Sequence, residues 1–484
     1  MKTNSIAQDV SADTTKQSIE MKQLFPKQSE AKDFFVTTLM CGDNTLDSSQ
    51  MGTGKTVVGS QVAKEVLESR AGHPQLSPNS RVAVICPKAV FPTWESELKE
   101  CGIDPLFILN VEKLRKGTTP WVKKLGKKNY KWTIPEGTLV LIDEIHKLKG
   151  PWTQNANLLI TLVRQGFLVH GMSGTPCETP MEMRPLGYML RLHSNDMSRG
   201  GLMSYWQWLR SLRCEKGHWG GFEMLDPQYA LTTLRKKMYG ISTCGLTVDD
   251  FPDSFRDNRV IVDPIEFSNN DKIIKAYDKM EMSGEDLSEY IEKGTIPKHY
   301  THSNEEEDPI IVKILRARQE CELFKVKDIA VMAQDAIEEG YNVVVFLNFT
   351  ESLHELASLV GCEVVDGSTP AEKRTEYIDA FQRDETNCLA LNAATGGTGI
   401  SLHDTIGNRP RLSLISPSFN AKEFAQVIGR IHRNGAKSDA IQKILLSHKS
   451  IEEYVMRSIS KKIGNMKTIH HSQPCELDST HYKV

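Results

Sequence analysis

The 484-residue chain lacks paired cysteine spacings, long apolar runs and an excess of charge of either sign. Its ten cysteines are scattered, which excludes a disulfide scaffold and favours reduced thiols in a cytosol-like compartment. Cys214-x3-His218 is the nearest approach to a metal pair, and it has no second half, so zinc is not expected there. No stretch reaches transmembrane length, and the N-terminus MKTNSIAQDVSADTTK has no apolar signal core. The expectation is a protein that is neither secreted nor bound to a membrane, but cytoplasmic or nucleoid-associated (in the host cytoplasm if phage-encoded). A net charge of −3 excludes a global field that attracts nucleic acid, so any such contact needs a local basic surface. Hydrophobic residues at 39% and charged residues at 25% are those of a globular protein, and the length calls for two or three domains.

What is present is a glycine loop near the start. Ser49-Gln50-Met51-Gly52-Thr53-Gly54-Lys55-Thr56 contains Gly-x-Gly-Lys-Thr. Two glycines let the backbone approach a polyphosphate with its N–H groups turned inward. The helix-forming run Val57 to Arg70 would close the loop on a positive helix end. Lys55 then reaches the terminal phosphates of ATP, and the Thr56 hydroxyl holds Mg²⁺. The common pattern has Gly where this chain has Ser49. Upstream, Gln28 is either a solvated helix residue or an amide that reads an adenine edge, since it donates and accepts at once.

Three apolar runs follow, each ending in chemistry. Arg81–Cys86 reads as a strand buried on both faces and ends at Pro87 and Lys88, where a parallel sheet presents its ligand edge. Trp94, just beyond, is expected in the core rather than as a platform for bases. Thr138–Ile142 runs into Asp143-Glu144-Ile145-His146. Adjacent carboxylates at a strand end are costly without a compensating cation or proton. Asp143 suits Mg²⁺, and Glu144 suits the attacking water. Phe167–Gly171 leads to Ser173-Gly174-Thr175-Pro176, whose hydroxyls can bond the acidic pair or a phosphate backbone.

Residues 181–260 hold Tyr205, Trp206, Trp208, Trp219 and Arg235-Lys236-Lys237. They are equally a nucleic-acid surface or a packed helical insertion. The acidic run Glu305–Asp308 reads as an exposed loop or hinge. A second α/β pattern starts near 311: a helix over 319–339, strands at Asn342–Leu347, Glu363–Val365, Cys388–Leu391 and Arg411–Ile415, and a loop Thr395-Gly396-Gly397-Thr398-Gly399. A helix then carries Gln426, Arg430 and Arg433. The two arginines share one face if the helix persists, and they suit a phosphoryl group gaining charge. The first half has a phosphate loop without arginines, and the second has arginines without a phosphate loop. One ATP site between two lobes, with a cleft that opens and closes, accounts for both.

The series Gln28, Met-Gly-Thr-Gly-Lys-Thr at 51–56, Cys86-Pro87-Lys88 with Trp94, Asp-Glu-Ile-His at 143–146, Ser-Gly-Thr-Pro at 173–176, the loop 396–402 and Gln-x-x-Gly-Arg-x-x-Arg at 426–433 resembles the superfamily-two helicases and translocases, most of all the Swi/Snf-type branch. It covers about residues 24–455. The resemblance implies an α/β fold of two RecA-like lobes, each a parallel sheet flanked by helices, with a helical insertion between them. It divides the chain into a tail (1–20), lobe 1 (21–265, insertion at about 181–260), a hinge (266–310), lobe 2 (311–455) and a C-terminal tail (456–484). It also implies an ATP site of Gln28, Met51, Gly52, Thr53, Gly54, Lys55, Thr56, Asp143, Glu144, His146, Gln426, Arg430 and Arg433, with Mg²⁺ on Thr56 and Asp143. Pro87, Lys88, Ser173, Thr175, Thr395, Gly396 and Gly397 would track nucleic acid. The chain departs from the branch at Asp47–Gln50, where acidic residues are usual near Met51, and at Ile145, where a small residue is usual. The expected function is an ATP-dependent DNA helicase or translocase that grips the phosphate backbone with little sequence preference. An RNA helicase, or a binding module with a relic ATP site, is the alternative.

Overall fold

The computed structural model describes residues 22–69, 79–195, 201–217, 222–251, 254–262, 264–293, 296, 300, 309–396 and 400–470, with the backbone alone at 293, 395 and 396. The expected tail at 1–20, the acidic run 305–308, His218, Trp219 and Gly397 lie outside the described residues.

Two six-stranded sheets organise these residues. In the first, β1 (Thr45–Asp47), β2 (Val82–Ile85), β3 (Phe107–Leu109), β4 (Leu139–Asp143), β5 (Leu168–Met172) and β6 (Thr243–Cys244) lie in the order β6-β1-β5-β4-β2-β3. Every pairing is parallel. The apolar runs are unbroken because helices cover both faces. Val82, Val84, Leu139 and Leu141 join a core with Phe35, Val62 and Trp94. Ala83, Ile85, Val140 and Ile142 face the other way, among Leu159, Trp208 and Leu234.

The second sheet holds β7 (Asn258–Ile261), β8 (Asn342–Leu347), β9 (Glu363–Val365), β10 (Cys388–Asn392), β11 (Arg411–Ile415) and β12 (Ala440–Ile444) in the order β7-β12-β11-β8-β10-β9. It too is parallel throughout. These are two RecA-like lobes. Parallel strands bring all their carboxyl ends to one edge, so each loop that carries a motif in lobe 1 emerges on the same side.

The boundaries differ from expectation. β7 pairs with β12, and the helices Asn270–Asp278 and Gly284–Lys293 place Ile273, Tyr277 and Leu287 in the core of lobe 2. Residues 258–293 are therefore part of lobe 2, not the end of lobe 1 and a hinge. The chain from 456 is not a tail as far as His470, because the helix Glu452–His470 buries Val455, Met456, Ile459, Ile463 and Met466. The first helix of the second pattern spans Ile310–Glu338. In the insertion, Tyr205 and Trp208 are buried in the core of lobe 1, which is the packed alternative, while Lys236 and Lys237 remain exposed.

Two histidines are buried without charge. His170 in β5 has Nδ1 2.8 Å from Thr45 Oγ1, and burial holds its pKa down at about 3. Burial does the same to His470, also at about 3. Each ring is neutral in the fold and takes a proton in the unfolded chain below its ordinary pKa near 6.5. Stability is thus full above pH 6.5 and lost as pH falls toward 3, by about 2 kcal/mol per ring at pH 5. The denaturation midpoint should fall between pH 6.5 and 5, and His170→Gln should make that fall shallower when urea melts are compared across the range.

Candidate nucleotide site at the seam of the lobes

β1 ends at Asp47, and the chain turns directly into the glycine loop. Gly52 (φ +81°) and Gly54 (φ +87°) are left-handed, a conformation that strains any side chain, and the helix Lys55–Glu68 begins at once. Gln28 is buried against the loop. Its Nε2 donates to Thr53 O at 2.8 Å and its Oε1 accepts from Phe25 N at 2.9 Å. A Cβ on Gly54 would lie 2.5 Å from that Nε2. Thr53 Oγ1 donates to Gln50 O at 2.7 Å. Ser49, the departure from the common pattern, turns its Oγ away to accept from Leu246 N at 2.9 Å. A side chain is tolerated there because it is tied to the strand edge rather than aimed into the loop.

Lys55 Nζ donates to Ser49 O (2.8 Å) and Gln50 O (2.9 Å). Burial pulls its pKa down, while Asp47, Glu144 and Asp143 pull it up. Asp143, at the end of β4, accepts at Oδ2 from Trp94 Nε1 at 3.1 Å. Trp94 is fully buried in the core, as its sequence context implied, and its indole N–H also holds the acidic motif. Burial and the charge of Glu144 push Asp143 up to about 6, against the Trp94 N–H and Lys55. Glu144 is left-handed (φ 54°), a conformation that costs a non-glycine residue about 1–2 kcal/mol. Its Oε2 lies 3.1 Å from His146 Nδ1. Burial alone would raise Glu144, but His146, Lys55 and Arg430 outweigh it and hold the carboxylate at about 2. Ile145 fits because Gly171 lies against it: a Cβ there would stand 2.4 Å from Ile145 Cδ1.

Lobe 2 supplies the other wall. The helix Ala421–Ile428 ends before the arginines, so they do not share a helix face as expected. They converge on one acceptor instead. Arg430 Nη1 and Arg433 Nη2 each donate to Ile400 O at 3.0 Å. Burial and the charge of Arg433 draw Arg430 down to about 9, with Glu144 opposing; burial draws Arg433 to about 10, again against Glu144. A Cβ on Gly52 would meet Arg433 Cγ at 3.2 Å, so the arginine lies directly on the phosphate loop. Met51 completes the seam. Its side chain lies 3.4 Å from the Cβ position of Gly174 and 3.3 Å from that of Gly429, so two motif glycines leave room for one methionine. Gln426 is buried in the same helix, and Thr56 is half-buried in the first turn of the helix after the loop.

The residues expected to track nucleic acid divide. Lys88 is exposed and Pro87 half-buried beyond β2. The helix Ala393–Gly396 places Thr395 and Gly396 just after β10. Ser173 and Thr175 are a correction: both are buried. Ser173 Oγ lies 3.0 Å from His146 Nδ1 and accepts from Thr175 N at 3.2 Å. A polymer outside the protein does not reach the Ser173 hydroxyl, which is committed inward to the acidic motif, or the buried side chain of Thr175.

The helicase conserved C-terminal domain family matches residues 325–435, a span that includes both arginines. A protein of Acanthamoeba polyphaga mimivirus, named as an ATP-dependent RNA helicase, is 26% identical over 500 residues, covering 97% of this chain and 87% of that one. The ATP-dependent helicase fft3 of Schizosaccharomyces pombe is 31% identical over 159 residues, which are 30% of this chain and 17% of its own. The chain carries a helicase conserved C-terminal domain and is similar to helicases of the Swi/Snf type. It therefore spans most of its mimivirus relative and under a fifth of the yeast one. A solved SWI2/SNF2 ATPase core of Sulfolobus solfataricus, in complex with dsDNA, aligns with 88% of each chain at 16% identity and a TM-score of 0.35. Among the described residues, no helix is long and apolar enough to cross a membrane.

Helicases of this kind use ATP, generally with Mg²⁺. The residues present fit that pair: the loop is glycine-shaped, Lys55 is half-buried with its ammonium on two loop carbonyls, and Arg433 Nε is buried without a hydrogen-bond partner. Gly52→Ala adds a methyl group at a left-handed position and against Arg433. Turnover should fall at least about 10²-fold, as expected when reacting groups are displaced by an ångström, while circular dichroism stays that of the parent. Parental turnover would mean that the loop and the arginine do not meet in the working enzyme.

Proposed function

We propose that the chain is a DNA-stimulated ATPase that hydrolyses ATP between its lobes and uses the resulting closure to move along or remodel DNA. The observation behind this is the seating of Arg433 of lobe 2 against Gly52 of the phosphate loop, with Arg430 beside it on the Ile400 carbonyl and Glu144 drawing on both. Charge builds on the transferred phosphoryl group in the transition state, and buried donors fixed in advance act on it without reorganising.

In this reading Lys55 and the loop N–H groups bind the polyphosphate, and Gln28 meets the base. Thr56 and Asp143 hold Mg²⁺, which supplies charge neutralisation at the phosphoryl oxygens. Glu144, kept ionised by its cationic neighbours, accepts a hydrogen bond from the attacking water and orients it. His146 and Ser173 hold Glu144 in turn. Lys88 and the segment Thr395–Gly396 are offered to a phosphate backbone, and neither is a bidentate base reader. An RNA substrate is the second reading, favoured by the name of the mimivirus relative, which covers nearly the whole chain.

Stimulation of turnover by duplex DNA, single-stranded DNA and RNA, assayed in parallel, separates the two readings. Stimulation by RNA alone would sink the DNA reading. Affinity for several unrelated duplexes should be equal and should fall steeply with salt through counterion release. A preference above about 10³-fold for one sequence would mark a sequence reader instead.

Glu144→Gln should bind ATP and hydrolyse it at least about 10²-fold more slowly, the usual scale for a lost proton acceptor. Lys55→Ala should lose hydrolysis with the fold retained. Alanine at Arg430 or Arg433 should depress kcat far more than ATP affinity, because the charge they meet develops in the transition state. Normal turnover of Lys55→Ala would remove the basis for the assignment.

A further inference from the structure

The segment that follows the Ser173–Pro176 turn carries a cluster of ionised groups that the nucleotide site does not use. Lys422 of lobe 2 lies 3.4 Å from Glu182 Oε2 and 3.7 Å from Glu178 Oε1 of lobe 1. Lys462, on the helix Glu452–His470, lies 3.1 Å from Glu178 Oε2. Lys149, four residues beyond Ile145, lies 3.6 Å from Glu178 Oε1 and bonds Glu182. Glu178 N donates to Glu182 Oε2 at 2.8 Å, which makes the two carboxylates one unit. Three ammoniums thus share two carboxylates, and the side chains of Lys422 and Glu178 are only 7% and 8% exposed. Without these carboxylates, Lys422 and Lys149 would repel each other out of contact with water.

Lys422 differs from the other two cations in what it is attached to. It is the second residue of the helix Ala421–Ile428, capped by Asn420, whose Oδ1 accepts from Lys422 N at 3.1 Å. That helix runs straight into Gly429 and Arg430. A two-turn helix is stiff, so fixing its first turn fixes the residues at its end. On the lobe 1 side, Glu178 follows the turn in which Ser173 holds His146, and His146 holds Glu144. The ion cluster therefore joins the helix that leads into the arginines to the segment that supports the water-orienting carboxylate.

We propose that Lys422, held by Glu178 and Glu182, is a positioning residue that sets Arg430 and Arg433 over the phosphate loop. This rests on the ATPase reading above. Burial supports it: an ion pair removed from water loses much more when one partner is deleted than an exposed pair does. Lys462 grips the same carboxylate from a helix that carries no arginine of the site, so it holds the lobes without aiming anything.

The test uses the full chain and ATP turnover saturated with duplex DNA. Lys422→Met should lower kcat about 10-fold or more with KM for ATP changed less than about 3-fold, the pattern of an interaction realised in the transition state. ADP binding, measured calorimetrically, should match the parent and shows that lobe 1 is folded. Lys422→Arg should keep most of the activity, and Lys462→Met should lose less than about 3-fold. In an Arg433→Ala background, Lys422→Met should cost little more, because the two act through one event. Parental kcat in Lys422→Met, equal losses in Lys422→Met and Lys462→Met, or fully additive losses with Arg433→Ala would each overturn the proposal. A parent chain with no turnover at all overturns the ATPase reading, and the positioning role with it.

Discussion

Lys55, Arg430 and Arg433 are three cations gathered at one seam with the carboxylates of Asp47, Asp143 and Glu144; Arg430 and Asp47 are buried and the other four half-buried. Removing a charge from water is expensive, and here it is offset only by opposite charges and hydrogen bonds supplied from two lobes. The lobes meet in the attraction between Glu144 of lobe 1 and Arg430 and Arg433 of lobe 2. Lobe 1 has an ammonium in a glycine loop, and lobe 2 has two guanidiniums on one carbonyl. A polyphosphate placed between them would add negative charge where three positive groups converge.

The chain crosses between the lobes more than once. It leaves lobe 1 after β6, where Leu246 and Val248 bond the phosphate loop through Ser49 Oγ and Gln50 Oε1. It returns through the last turn of the helix Glu452–His470. His470 Nε2 donates to Cys177 O at 3.0 Å, which leaves Nδ1 to accept from Tyr239 OH at 2.9 Å. Tyr239 OH lies 2.6 Å from Ser48 Oγ, next to the loop. A helix rooted in lobe 2 thus ends on the residues that flank two motifs of lobe 1. Movement of either lobe is felt at Ser48 and Cys177.

The parts legible in the sequence were those that bury both faces of a strand or need a glycine. β8, β9 and β11 have the bounds expected of them, because their apolar runs end at turn residues. The phosphate loop and the acidic motif were legible from residue type alone. β7 was not: Asn258-Arg259-Val260-Ile261 is an edge strand with only Val260 buried, so it has no apolar run to show. The final helix carried a usable signal, since Val455, Ile459, Ile463 and Met466 recur at helical spacing. The arginines were placed on a helix that stops at Ile428, yet they still meet, because the carbonyl of Ile400 gathers them. The contact of Lys422 with Glu182 spans 240 residues of sequence and leaves no local trace. The same holds for the Trp94 N–H on Asp143, where a core residue has a second task that burial does not announce.

Two departures, Ser49 from the common phosphate-loop pattern and Ile145 from the family pattern, bear on whether the site is a relic. A site that had lost its work would be free to lose the geometry around each departure. At position 49, a serine replaces the usual glycine, and its hydroxyl is taken up by Leu246 N, so that the backbone carbonyl still receives Lys55. At position 145, an isoleucine replaces a small residue, and Gly171 on the neighbouring strand leaves space for its methyl group. In both places a neighbour takes up the side chain, and Lys55, Glu144 and His146 keep their contacts. Glu144 is still held in a strained left-handed conformation against His146, which a chain without need of it could relax. Strain retained beside absorbed departures is the physical pattern of a site under load, and it weighs against a binding module that has kept only the shape of a nucleotide pocket.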